Sequence, residues 1–125
     1  MSKKLREQIY AKFGGRCAYC GKRLKDTFHV DHIRPIYRGR IPREYRDKKE
    51  EAIENLNPAC RRCNNYKHVL SLEDFREQLS RQVERARTKS LNFRLAEDFE
   101  LVVETKKSVV FYFEKFMLIH GGGDG

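Results

Sequence analysis

No stretch of eighteen apolar residues occurs in this chain of 125, and its first residues hold no hydrophobic core of the kind a secretion signal needs. Both absences exclude a membrane-spanning helix as the organising element, and the expectation is a soluble, cytoplasmic protein with no membrane partner. Acidic residues are in deficit, 18 against 27 Lys+Arg, which leaves a formal charge of +9. That surplus points to a polyanionic partner, nucleic acid above all. There is no internal repeat and no linker-like stretch, so one domain is expected over residues 1–120, with a core at about 13–70 and an extension at about 71–118. A domain this small buries only about two-thirds of the surface its unfolded chain exposes, so further stabilisation is valuable.

Cysteine is also scarce, and the scarcity is informative. The four cysteines fall into two Cys-x-x-Cys pairs, Cys17/Cys20 and Cys60/Cys63, with none left over. A pair spaced in this way offers two thiolates from a single tight turn, and two such turns complete a closed tetrahedral shell of the kind that binds structural zinc. A reducing compartment favours that use over disulfides, and two paired turns favour it over redox chemistry. A closed shell has no open position, so any chemistry belongs to other residues.

Around the pairs, the local pattern predicts an N-terminal helix capped by Ser2 with Leu5, Ile9 and Phe13 on one face, stopped by Gly14-Gly15. Phe28–Ile33 is the best strand, ended by Pro35. Residues 34–49 carry seven basic and two acidic side chains with Gly39 and Pro42 among them, an exposed basic loop. Asn55-Leu56-Asn57-Pro58 has turn chemistry, and Cys60–Cys63 opens a short helix to about Lys67. A helix starting at Ser71 places Leu72, Phe75, Leu79, Val83 and Ala86 in an apolar stripe expected to be core. A short helix at 92–99 and a β-hairpin from Leu101–Val103 and Val109–Phe113 follow, and residues 121–125, glycine-rich, are expected to be disordered.

Asp31-His32 puts a carboxylate and an imidazole side by side, a metal ligand and a general base for hydrolysis of a phosphodiester. The order Cys-x-x-Cys, His29-Val30-Asp31-His32-Ile33-Arg34-Pro35, Asn55-Leu56, Cys60-x-x-Cys63-Asn64-x-x-Lys67 resembles the zinc-clamped HNH endonucleases of the ββα-metal (His-Me finger) superfamily, over roughly residues 13–67. The resemblance implies an α+β fold: a small ββα-metal core clamped by four cysteines on zinc, flanked by the N-terminal helix and a C-terminal helix plus hairpin. It implies His32 as the general base, Asp31 and Asn64 as ligands of the catalytic cation, and Asn55 as the brace of the loop carrying the base. It also implies cleavage of DNA, double-stranded, to 5′-phosphate and 3′-hydroxyl ends. Asn64 stands where many relatives have histidine, a His-Asn-Asn variant. Two oxygen donors suit Mg²⁺ or Mn²⁺ better than a softer metal. Arg34, Arg38, Arg40 and Lys67 are the expected phosphate contacts, with weak sequence selectivity because nothing marks a groove-reading helix. His29 is read as a plain strand residue and Asn57 as a turn residue. The competing assignment is a zinc-ribbon module that binds nucleic acid without cutting it.

Overall fold

The computed structural model describes residues 1–34 and 52–121. The basic loop with Arg38 and Arg40, and all but the first residue of the glycine tail, lie outside the described residues. The chain divides into two compact units, one formed by residues 1–72 and 110–125, the other by residues 73–109.

The first unit begins with helix α1 (Lys3–Ala11), and Ser2 Oγ accepts from the Leu5 amide as predicted, a cap worth about 1 kcal/mol. Ile9 and, just beyond the helix, Phe13 are buried. Strand β1 (His29–His32) pairs antiparallel with β2 (Leu56–Ala59), His29 opposite Ala59 and Asp31 opposite Asn57. The expected turn at 55–58 is therefore a correction: a short 3₁₀ turn spans Ile53–Asn55 and the chain then runs straight as β2. Pro58 is tolerated because β2 is an edge strand, and its carbonyl, turned away from β1, accepts from Ala18 N at 2.9 Å. Helix α2 (Arg61–Lys67) follows, with Cys60 as its cap.

The predicted hairpin is not formed. Residues 101–111 contain no strand, Leu101 and Val103 are each 78% exposed, and Tyr112–His120 is a helix, α6. The run Val109–Phe113 has strand composition, but strand preference is a preference for a half-buried pleated surface, and no partner strand among the described residues presents one. Instead Glu114, three residues into the turn, accepts from Phe111 N at 2.9 Å, and Tyr112 N and Phe113 N bond to the carbonyls of Tyr19 and Ala18. The aromatic rings then pack inward: Phe111 lies edge-on to Tyr19 at 5.3 Å between centroids, and Phe13 meets Phe113 and Phe116 at 6.2 and 5.4 Å. The two edge-on pairs, Phe111–Tyr19 and Phe13–Phe116, add about 0.5–1.5 kcal/mol each beyond their buried area.

The second unit holds α3, which starts at its border (Leu72–Ser80), α4 (Gln82–Lys89) and α5 (Leu91–Asp98). The single long helix expected from Ser71 is interrupted at Arg81, and of its apolar stripe only Phe75 is fully buried. Arg87 fastens this unit with a two-pronged bond to Glu97, 2.7 Å on each side, and a third contact to Glu104 at 2.8 Å. Among the described residues no helix is long and apolar enough to cross a membrane.

Candidate active site and metal centre

The two Cys-x-x-Cys turns converge. Their four sulfur atoms lie within 4.8 Å of one another, and Cys20 Sγ is 3.8 Å from Cys60 Sγ. A tetrahedral ion with metal–sulfur bonds of about 2.3 Å requires sulfur–sulfur edges of about 3.8 Å, so the cluster has the size of a metal site. Each turn is built for this. Tyr19 N donates to Cys17 Sγ and Cys63 N to Cys60 Sγ, both at 3.4 Å. Gly21 takes φ +79°, which lets the first turn close through Gly21 N to Cys17 O, and a Cβ there would come within 3.0 Å of the Tyr112 ring. Without an ion the thiols share protons: hydrogen bonding with Cys63 lowers Cys17 to about 4, and the same bond, with burial, pushes Cys63 up. One sulfur is thus held as a thiolate by a neighbouring thiol, and a cation bound there would take the place of that proton.

The cluster positions everything else. Cys60 starts α2, and α2 lays its inner side along β1. Asn64 Nδ2 meets His29 Nδ1 at 2.8 Å, and one turn later Lys67 Nζ reaches Asp31 at 3.2 and 3.4 Å and the His32 carbonyl at 2.9 Å. His29 and Asp31, two apart on a strand, share a face. Asp31 and Asn64 thus point into the same seam between β1 and α2. The Tyr19 hydroxyl, buried behind, donates to Asp31 Oδ2 and is itself approached by Asn57 Nδ2 at 3.4 Å. Burial dominates the electrostatics: it raises Asp31 against the opposing pull of Tyr19 and Lys67, and burial with the adjacent Asp31 charge raises the Tyr19 hydroxyl.

His32 closes β1 and is 9% exposed. The chain after it is clamped by Asn55, whose Oδ1 accepts from Arg34 N at 2.8 Å and whose Nδ2 donates to Arg34 O at 3.3 Å, while its own carbonyl accepts from Ile33 N. The amide side chain completes a ladder where the sheet has ended. Arg34 itself is exposed, and with Ile33, Ala52, Glu54 and Asn55 it lines a cleft of about 460 Å³.

Lys67 requires a correction. It is fully buried, so it does not offer its charge to a phosphate from this position. His29, read as a plain strand residue, is a partner of Asn64, and Asn57, read as a turn residue, is a buried member of the Tyr19 network. Two further residues went unnoticed in the sequence. Tyr19 sits inside a metal turn and signalled nothing beyond it. Lys12 extends from the end of α1 to Ile53 O, Leu56 O and Asn57 Oδ1 at 2.9, 2.8 and 3.1 Å, pinning the segment that contains Asn55. Partners more than forty residues apart leave no local pattern.

No curated protein and no solved structure matches the chain. The model of the HNH endonuclease family matches residues 17–70, from the first cysteine to three residues past Lys67. The two-stranded sheet, α2 and the four-cysteine cluster all lie inside that stretch, and the fold there is consistent with a small ββα core of the kind that family model describes.

Proposed function

We propose that the protein is a metal-dependent endonuclease that hydrolyses phosphodiester bonds of double-stranded DNA, with zinc on Cys17, Cys20, Cys60 and Cys63. The observation that carries the reading is the seam itself: the Asp31 carboxylate and the Asn64 side-chain amide on facing elements, beside a histidine whose following peptide is held from both sides, by Lys67 and by Asn55. Asp31 and Asn64 are hard oxygen donors, and their type fits Mg²⁺ or Mn²⁺. When bound, such an ion supplies Lewis-acid stabilisation of charge on the phosphoryl and leaving oxygens.

The chain's own residues do the rest. His32 takes a proton from water as the oxygen attacks phosphorus and the 3′ oxygen leaves. Asn55 fixes the backbone after His32 so that the imidazole keeps one orientation. Arg34, exposed at the cleft, meets a phosphate oxygen, and Arg38 and Arg40 are assigned the same task. None of these contacts reads a base edge, so cleavage is weakly selective for sequence.

The test is nicking of supercoiled plasmid by the full chain with Mg²⁺ or Mn²⁺. His32→Ala is expected to slow cleavage by about 10²–10⁴-fold, the usual contribution of a positioned base. Equal cleavage by the variant removes His32 from the mechanism. The burial of Asp31 under Lys67 is the one observation that favours a second reading, a zinc-ribbon module that binds without cutting. Retarded duplex with no product under either ion would establish that reading instead.

A further inference from the structure

Lys67 is the least accessible charged side chain among the described residues, and its ammonium stands where the cation reading needs room. Its three contacts are unequal. The bond to the His32 carbonyl is 2.9 Å, within normal hydrogen-bond length, whereas the two approaches to Asp31 are 3.2 and 3.4 Å. The tight contact is to a neutral peptide and the loose ones are to the carboxylate. Asp31 meanwhile has Tyr19 as a second donor on Oδ2, so it remains hydrogen-bonded if the ammonium withdraws. Asn64, on the same helix one turn earlier, turns its nitrogen toward His29 and directs its oxygen elsewhere.

From this arrangement, and resting on the cation reading above, we infer that Lys67 is a built-in counter-ion that competes with the divalent cation for Asp31 and couples occupancy of that carboxylate to the His32 peptide. With no ion bound, the ammonium neutralises a carboxylate that burial would otherwise penalise heavily. When a divalent ion takes an oxygen of Asp31, two positive charges cannot share it at close range, and the ammonium moves off the carboxylate while keeping its bond to the His32 carbonyl. Lys67 is thus a positioning residue that acts through Asp31 and His32 and touches no substrate.

The competition has a measurable sign. The full chain, loaded with zinc at its cysteines, is titrated with Mn²⁺ and free ion is followed by its paramagnetic resonance. Lys67→Met keeps the length of the side chain and removes the charge, and it is expected to bind Mn²⁺ about 10-fold more tightly than the unmodified chain, within the usual range for coupled sites. Asp31→Asn is expected to lose most of the binding. A folded Lys67→Met chain with unchanged or weaker affinity overturns the inference. Because loss of the ammonium leaves a buried carboxylate alone, this variant is vulnerable to misfolding, and a second measurement uses the unmodified chain. The ¹⁵Nζ resonance of Lys67 is followed during Mg²⁺ addition and is expected to shift with the midpoint of ion binding. A resonance that stays fixed while the ion binds overturns the inference. If Asp31 supports Mn²⁺ binding and Lys67→Met does not strengthen it, only the role of Lys67 falls. If neither the unmodified chain nor Lys67→Met binds Mn²⁺, the cation reading falls and takes this one with it.

Discussion

Lys12 and Lys67 look in the sequence like two more contributors to a basic surface, and the fold uses both as internal cross-braces. Lys67 ties α2 to the end of β1. Lys12 spends all three protons on the segment 53–57, and burial lowers its pKa against the favourable charge of Glu54. Replacing Lys12 by Met is expected to destabilise the zinc-loaded chain by about 1–3 kcal/mol, because acceptors that were satisfied lose their donor. Urea unfolding checks this, and a midpoint within error of the unmodified chain would show that the three bonds contribute nothing net. Asn55 was assigned its bracing role by resemblance, and its bonds to both polar groups of the Arg34 backbone are the kind that such a role requires.

Elements show a different balance. The metal turns, α1 with its Ser2 cap, β1 and α2 were all legible, because each is specified by residues within a few positions of one another: a thiol pair, a capping hydroxyl, a short run with β-branched and aromatic residues. Residues 109–120 were not. Their composition fits a strand, and the contacts of Phe111 and Phe113 with Tyr19, almost a hundred residues away, are what make them the start of α6. Because Cys60 begins α2 and Ala18, between the first two cysteines, bonds to β2, the metal cluster should govern whether the β1–β2–α2 assembly forms. Stripping the ion with a strong chelator is expected to abolish cooperative thermal melting of this unit, since structural zinc contributes roughly 10–16 kcal/mol of apparent free energy in small peptides. Returning zinc should restore it. Circular dichroism reports both, and an unaltered melt after complete removal would show that the cluster is dispensable for folding.

For the molecule as a whole, the charge of +9 over 125 residues sets the terms on which it meets a polyanion. On the proposed reading, and with Lys67 turned inward, the phosphate contacts would fall to Arg34 and the basic loop. If about five phosphates are neutralised, the logarithm of affinity for duplex DNA should fall with the logarithm of salt concentration with a slope of about −4.5. Fluorescence anisotropy of a labelled duplex in Ca²⁺, an ion chosen to limit cleavage, measures the slope. A value near zero would remove counter-ion release, and with it the nucleic-acid reading of the charge.

The sequence alone determined which residues are of the right kind and in the right order: four thiols in two turns, the Asp31-His32 pair, the two signature asparagines. It did so because metal turns, caps and short strands are governed by near neighbours. Tertiary structure alone decided who faces whom. It set Asn64 against His29, buried Lys67 on Asp31, and sent Lys12 to the Asn55 segment. The preference of a buried charge for a partner acts through space, whatever the separation along the chain, and no local pattern encodes it.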